Sequence, residues 1–219
     1  MNFVKEEKMS LTDMVYDKDY FECGEEKKIS CYTNYHWMPT RTLTTASVLI
    51  RRANITIDDT ILDYGCAKGF LVKAFYWLGY DAFGTDTSKY ALKTADAEIK
   101  SRLFLPRNIP EPQYDIVIGK DILEHIPYEN INGFLKNIFS LTKKKNVFVI
   151  PLGDRNGKYV IPRFELDKTH IIKEPQDWWL EQIKIAGGTP INFTDDVKDI
   201  KPNWNVPNGN LYVESVVHK

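Results

Sequence analysis

A turn of small residues behind an acidic side chain is the first segment of the sequence suited to binding a ligand. A short apolar run ends at Asp63, and the turn after it contains Gly65, Cys66, Ala67 and Gly69. Glycine permits positive φ and a close approach to the backbone, and the helix start that follows supplies free N–H groups. A carboxylate at this point repels a pyrophosphate but attracts a cationic amino group. We therefore predict that Asp63 and the turn bind a cationic ligand, the alternative being a tight turn that Asp63 merely caps.

The dinucleotide fingerprint G-x-G-x-x-G is a competing interpretation of this turn. Ala67 takes its second glycine position and the bulky Phe70 takes its third. A nicotinamide-dependent enzyme is therefore disfavoured, although it stays an alternative. The methionine part of S-adenosylmethionine (SAM) carries a cationic amino group, which suits Asp63 better.

A second acidic residue, Asp86, closes the next strand pattern, 23 residues after Asp63. A carboxylate at the end of that strand can accept hydrogen bonds from both hydroxyls of a ribose. The alternative is a helix cap, but Ser88 already suits that role. We predict that Asp86, with Thr85 beside it, binds the ribose.

These residues are connected by alternating strands and helices. We predict helices at about 40–53, 69–78, 88–100, 130–141 and 175–187, and strands at 60–64, 82–85, within 102–105, 114–119, 146–151, 191–194 and 211–217. Residues 143–145 read as a solvated turn, and residues 152–174 as a long connection of the kind that often forms a lid. The alternation over residues 60–151 implies right-handed βαβ units in a mainly parallel sheet, whose ligands bind beyond the carboxyl ends of the strands.

The order and spacing of these motifs resemble the class I SAM-dependent methyltransferases. Asp63-x-Gly65-x-x-x-Gly69 matches their first motif, Asp86 their ribose-binding acidic residue, and residues 114–126 their fourth-strand motif. The family usually has glycine where Ala67 stands, which is tolerable if φ is negative there. No residue after the third strand matches the adenine contact, so that contact stays unassigned.

This resemblance implies an α/β, Rossmann-like, doubly wound fold with a mainly parallel seven-stranded sheet and an antiparallel last strand beside the sixth. SAM would then lie across the turn at Gly65–Gly69, Asp86, and the Lys120–Asp121 turn. Residues 40–219 would form the methyltransferase domain, and residues 1–39 an N-terminal helical flap. The polar residues 1–33 of that flap are expected to be partly ordered at most.

Methylation of a hydroxyl also requires a base. His125 follows the fourth strand, and His170 lies in the long connection with Asp167, which we expect to fix the imidazole tautomer. The alternatives are that His125 packs against the cofactor or caps a helix, and that residues 167–170 are a solvated lid. Asp121 completes the candidate catalytic set, whereas His36 and His218 are expected to be structural.

The acceptor is predicted from a looser resemblance, to sugar and glycan O-methyltransferases of bacteria, phages and large DNA viruses. The Asp167–His170 loop, the following Trp178-Trp179 pair and residues 32–38 are similar to theirs, and aromatic faces beside polar groups suit sugars. The candidate acceptor residues are Tyr35, Trp37, Arg41, Asp154, Arg163 and Trp178. Tyr35 and Arg41 can alternatively contact the SAM carboxylate, and one of the adjacent tryptophans should belong to the core.

Composition narrows the other classes of function. The 219 residues carry 29 Lys and Arg against 30 Asp and Glu, a net charge of −1, which disfavours nucleic acid and anionic membranes. Three cysteines without metal-site spacing support neither a disulfide framework nor structural zinc. The N-terminus shows no secretory signal, so we expect a soluble cytoplasmic protein, and we predict no metal because the acidic residues lack a diagnostic spacing. A phenol or quinone-precursor methyltransferase and a catalytically silent SAM-binding module stay open, as does the oligomeric state.

Overall fold

The computed structural model describes residues 15–217, and seven strands in it form one mixed sheet. They are β1 Thr60–Tyr64, β2 Asp81–Thr85, β3 Leu103–Phe104, β4 Tyr114–Lys120, β5 Thr142–Pro151, β6 Gly188–Thr194 and β7 Asn210–Val217. Their order is β3-β2-β1-β4-β5-β7-β6, with β1 to β5 parallel and β7 antiparallel to both of its neighbours. The predicted sheet, including the antiparallel last strand beside the sixth, is confirmed.

Helices cover both faces of this sheet. They are α1 Lys18–Glu22, α2 Pro39–Ala53, α3 Phe70–Trp77, α4 Lys89–Lys93, α5 Ile131–Ser140 and α6 Gln176–Ile185, joined by 3₁₀ turns at Lys100–Arg102, Pro106–Asn108, Leu123–His125, Tyr128–Asn130, Pro162–Leu166 and Pro202–Trp204. No helix within residues 15–217 has the length and apolar character needed to cross a membrane.

Alternating strand residues bury opposite faces of the sheet. Ile61 and Ile116 pack on one face against α2 and α3, while Leu62 and Val117 pack on the other against α5 and α6. Trp179 on α6 is fully buried in the second core. The sequence expectation that one of the paired tryptophans belongs to the core is therefore confirmed.

Two predicted elements differ from the structure. The helix after Ser88 ends at Lys93, where turns replace the predicted continuation to residue 100. The predicted turn at 143–145 belongs to β5, because Lys145 pairs in register with Ile116 and its ammonium meets Glu214. Ion pairing on the sheet lets lysines occupy strand positions that polarity alone assigns to a turn.

The part of the N-terminal extension that the structure describes is folded onto the domain. Tyr20 and Phe21 of α1 are buried with the α4 residue Ala91, and Tyr32 and Tyr35 pack against this small core. Residues 15–33 are therefore more ordered than the sequence predicted, because their aromatic side chains bury enough apolar surface to order the segment. Residues 1–14 and His218 lie outside the described part.

Candidate active site

The turn between β1 and α3 is held in a left-handed conformation. Gly65 has φ +84° and Gly69 has φ +73°, the latter as the N-cap of α3. The Gly65 amide donates to the Thr85 carbonyl at 2.8 Å, which joins the turn to the end of β2. Ala67 has φ +50°, so the condition under which its methyl group would be tolerated without strain, a negative φ, is not met. Its amide N–H donates to Asp86 at 2.8 Å, a bond that orients this peptide and favours the left-handed turn.

Asp63 is a buried carboxylate without a hydrogen-bond partner among residues 15–217. Its side chain lines a cavity, and burial raises its pKa to about 7, with Lys120 acting in the opposite direction. A carboxylate that has lost its water and gained no donor is stabilised by an incoming cation. This geometry fits the ammonium group expected from the sequence.

Asp86 has different surroundings. Its oxygens accept hydrogen bonds from the amides of Ala67 and Ser88, each at 2.8 Å, while Ser88 itself caps α4 through the Ala91 amide. Burial raises the pKa of Asp86, and these N–H groups oppose the rise. Since a carboxylate has about four acceptor positions, Asp86 keeps acceptor capacity for a ligand.

Asp86 borders a cavity of about 270 Å³ with mainly apolar walls. Thr85 lies on the same cavity, whose other walls are Tyr16, Tyr20, Phe21, Tyr32, Tyr64, Gly65, Ala67, Thr87, Pro106, Asp121, Ile122, His125, Ile126, Pro127 and Phe134. The sequence left the adenine contact unassigned, and this wall supplies candidates in Pro106 and Ile122. Neither side chain has a chemistry that marks it in a sequence.

The second cavity, of about 450 Å³, adjoins Asp63 and has charged and aromatic walls. Of the predicted cofactor residues, Asp63, Gly65, Cys66, Ala67, Lys120 and Asp121 line it. Of the predicted acceptor residues, Tyr35, Arg41 and Arg163 line it. His36 also borders it, which differs from the purely structural role expected for that residue.

Three predicted acceptor residues lie elsewhere. Trp37 packs on the outer side of α3 against Phe70 and Trp77, with ring centroids 5.9 and 5.6 Å away. Trp178 packs against Tyr128 at 5.7 Å, and Asp154 closes a surface turn through the amides of residues 156 and 158. Their side chains satisfy local packing and turn geometry, so the assignment of these three to the acceptor site is corrected.

Gly69, predicted to touch the cofactor, has a packing role in the described structure. A Cβ there would lie 2.7 Å from side-chain atoms of both Ile99 and Leu103. Gly69 lines neither cavity, and its neighbours explain why the turn requires glycine at this position.

Asp121 lies at the end of β4 between two lysines. It has φ +55°, and its carboxylate accepts hydrogen bonds from Lys120 and Lys201. Burial favours the neutral acid, but the two ammonium groups outweigh it and hold the pKa of Asp121 below its ordinary value. Sequence reasoning missed Lys201 and the nearby Trp204 because the chain reaches the cavity there only through the loop between β6 and β7.

His125 and His170 are brought together, with ring centroids 4.7 Å apart. His170 Nδ1 contacts the Phe164 carbonyl oxygen at 2.9 Å, an acceptor only, so this nitrogen carries the proton. Asp167 lies 3.8 Å from His170 Nε2 and is engaged by the Tyr20 hydroxyl instead. The expectation that Asp167 fixes the tautomer of His170 is therefore wrong, because Phe164 does so.

The tautomer of His125 is set through a relay. Its Nδ1 lies 2.7 Å from the Thr169 hydroxyl, which itself donates to Asp167 at 2.6 Å. Since the Thr169 proton is used, His125 Nδ1 is the donor and its Nε2 keeps a lone pair. Burial, followed by the charge of His170, lowers the pKa of His125 to about 4, and burial also lowers that of His170. Both rings are therefore neutral at pH 7.

Glu124 lies beside the two histidines and was missed as a site residue. It is 0% exposed, and neither carboxylate oxygen has a hydrogen-bond partner in the described structure. One of them is 3.9 Å from His170 Nε2. The sequence signal was present in the segment Leu123-Glu124-His125, but the pairing of Glu124 with a histidine 46 residues later depends on the fold.

The N-terminal segment covers both cavities. Lys68 of the glycine turn donates to Glu22 at 2.5 Å and to the Tyr35 carbonyl at 2.8 Å. On the opposite side, Arg163 makes two hydrogen bonds to Glu25, at 3.0 and 3.1 Å. The segment is thus fastened to the glycine turn and to the long connection.

Known proteins resemble this chain in sequence. A family described as a methyltransferase domain matches residues 39–185. The ribosomal protein L11 methyltransferase of Neisseria gonorrhoeae is 34% identical over 67 residues, which are 28% of this chain and 23% of that protein. The Neisseria meningitidis protein of the same name is 33% identical over the same length. This chain matches about a quarter of the length of these relatives.

Solved structures share the fold at low identity. A Haloferax volcanii complex of the Trm112 activator with a methyltransferase gives a TM-score of 0.63 at 16% identity, covering 82% of this chain and 91% of that one. The Burkholderia thailandensis 1,6-didemethyltoxoflavin-N1-methyltransferase gives 0.60 at 14%, covering 83% and 80%. The Synechocystis magnesium protoporphyrin IX methyltransferase, solved with SAM, gives 0.57 at 14%, covering 82% and 79%.

Proposed function

This chain belongs to the methyltransferase-domain family, and on that premise we propose that it transfers the methyl group of SAM to a hydroxyl of a sugar. The sugar is free, linked to a nucleotide or part of a glycan. The observation that carries the acceptor class is the 450 Å³ cavity beside Asp63, whose walls combine charged and aromatic side chains.

In this proposal the two cavities bind different parts of SAM. The unpartnered carboxylate of Asp63 would bind the ammonium of the methionine part, and Asp86 would bind the ribose hydroxyls with its free acceptor positions. The apolar wall at Pro106 and Ile122 suits the flat adenine. When bound, SAM supplies an electrophilic methyl group on a sulfonium.

The walls of the larger cavity favour a sugar over a phenol. Phenol and quinone pockets are apolar and enclosed, whereas this cavity presents Arg41, Asp121 and Lys201 to its contents. Sugar hydroxyls hydrogen-bond to such groups, and sugar C–H faces stack on rings such as Phe164 and Trp204, which also line it. Arg41 has no ion-pair partner among residues 15–217, so it is free to bind an anionic group of the acceptor or the SAM carboxylate.

The chain's own groups then position the acceptor and exclude water while the oxygen–carbon bond forms and the sulfur–carbon bond breaks. The hydroxyl proton goes to a base in the cavity. We assign this role to the lone pair on Nε2 of His125 or of His170, because both rings are neutral and have their Nδ1 atoms committed elsewhere. Asp167 supports them by holding Thr169.

The test is a methyl-transfer screen with labelled SAM on free sugars, nucleotide sugars, glycans and a matched set of phenols. We expect labelled product from a sugar class and none from the phenols. Transfer to phenols without transfer to any sugar would overturn the proposal. Asp86→Ala serves as the matched control, since loss of a charge-assisted pair of hydrogen bonds should weaken S-adenosylhomocysteine binding by well over about 1 kcal/mol.

A further inference from the structure

The cluster formed by Glu124, His125 and His170 has the composition of a transition-metal site. One ligand atom from each of the three lies within 4.8 Å of the others. Imidazole nitrogens together with one carboxylate suit zinc, cobalt(II), manganese(II) or iron(II). The cluster lies at the wall of the 450 Å³ cavity, where all three residues contribute to the lining.

The buried carboxylate of Glu124 is an independent sign of a missing partner. Its two oxygens are buried and lack hydrogen bonds, although nearly all buried polar atoms have at least one. Lys120 and Lys201, whose charges act on Glu124, donate their hydrogen bonds to Asp121 and not to Glu124. A cation bound between Glu124 and the imidazoles would satisfy this carboxylate.

Both imidazoles are set to ligate through Nε2. His170 Nδ1 donates to the Phe164 carbonyl and His125 Nδ1 donates to Thr169, which leaves a lone pair on each Nε2. Outer partners of this kind are the usual way in which metal-binding histidines are oriented. The chain Asp167–Thr169–His125 is a carboxylate-supported version of that arrangement.

The distances are compatible with coordination after small adjustments. With ligand bonds of about 2.1 Å, two ligand atoms on one metal lie at most about 4.2 Å apart. His170 Nε2 and the Glu124 carboxylate are 3.9 Å apart, within that limit. The remaining separations lie within 4.8 Å, so they need to shorten by less than about 1 Å, which side-chain rotation provides.

We propose that Glu124, His125 and His170 bind one divalent first-row transition-metal ion, whose remaining coordination positions face the acceptor cavity. This replaces the sequence-based expectation of no metal. The role of the metal in catalysis rests on the proposed function, whereas its binding does not. In that role the metal would bind the acceptor hydroxyl and lower its pKa, so that the proton would leave to water before methyl transfer; the oxygen would then take the methyl carbon as the bond to sulfur breaks. Because the metal occupies both Nε2 lone pairs, it would activate the hydroxyl in place of the histidine base proposed above, which acts only in the metal-free protein.

The test titrates EDTA-treated, full-length protein with Co²⁺ and follows its visible d–d absorption. We expect one equivalent to bind to the wild type, and neither Glu124→Gln nor His170→Ala to bind stoichiometrically. His36→Ala is the matched control, since this histidine borders the same cavity outside the cluster, and it should keep the stoichiometry. Thr169→Val removes the support of His125 and should weaken binding by about 10- to 100-fold.

Thermal unfolding of each variant separates loss of the site from loss of the fold. Failure of the wild type to bind Co²⁺ stoichiometrically would overturn the site, as would undiminished binding in a folded Glu124→Gln variant. Sugar methylation that persists in EDTA would overturn only the catalytic role. Metal binding without methylation of any sugar would contradict the proposed function and leave the site intact.

Discussion

Asp63 and Asp86 are both carboxylates buried away from water, but they differ in their hydrogen-bond partners. Asp86 accepts two backbone hydrogen bonds, whereas Asp63 accepts none in the described structure. Burial raises both pKa values, and for Asp63 the value reaches about 7. Asp63 is therefore half-protonated near neutral pH, and a cation that binds beside it must displace a proton.

Binding of S-adenosylhomocysteine, which keeps the amino group, should depend on the ionisation of Asp63. Below its pKa of about 7 the carboxyl is neutral, so affinity should rise by up to about tenfold between pH 6 and pH 8. Calorimetry on Asp63→Asn should give weaker binding at pH 8 and no such rise. Asp115→Asn, at a carboxylate whose pKa is lowered by its partners, should keep the pH dependence. A wild-type affinity independent of pH would contradict this assignment.

Among the elements, the turn between β1 and α3 contains three neighbouring residues with positive φ. Gly65, Ala67 and Gly69 all have positive φ within five residues. In the left-handed region a residue with a Cβ is destabilised by about 1–2 kcal/mol. Ala67 therefore keeps a strain that glycine would remove. The compensation is the hydrogen bond from its amide to Asp86, which connects the turn with the end of β2.

Substituting Ala67→Gly should relieve this strain and raise the free energy of unfolding. We expect a gain of about 0.5–1 kcal/mol, the strain being partly offset by the greater entropy of glycine in the unfolded chain. Urea unfolding measures it. Ala74→Gly, within helix α3, should instead lose about 1 kcal/mol, so a loss at both positions would show that the turn is not strained.

At the scale of the whole molecule, the N-terminal segment joins two regions distant in sequence. The hydroxyl of Tyr20 in α1 donates a hydrogen bond to Asp167 at 2.7 Å, and Glu22 forms an ion pair with Lys68. The segment thus contacts the glycine turn on one side and the long connection on the other. Residues of this segment line both cavities.

Ligand binding should therefore protect this segment as well as the site. We expect S-adenosylhomocysteine to slow hydrogen exchange of amides in residues 16–38 and 160–170, because closure becomes favoured when the cavity is filled. The antiparallel pair of β6 and β7 serves as the internal reference and should change little. Protection confined to the turn and β2 would show that the segment does not close over the ligand.

Much of the parallel sheet follows from local patterns. Alternating apolar residues mark β1 and β4, and glycines and Ser88 mark the ends of helices, so these elements agree with their predicted positions. The strand position of residues 143–145 did not follow, because Lys144 and Lys145 form ion pairs with carboxylates distant in the sequence. The assignment of Trp37 and Trp178 to the acceptor site was wrong for a related reason, because an aromatic ring suits core packing and ligand recognition equally well.

The sequence by itself determined the class of fold and the positions of Asp63 and Asp86, because those follow from residues close together along the chain. Only the tertiary structure decided which side chains meet in the acceptor cavity. Lys201 reaches Asp121 across 80 residues, and Glu124 meets His170 across 46. Such meetings depend on how the loops fold back over the carboxyl ends of the strands, and no local spacing records that path.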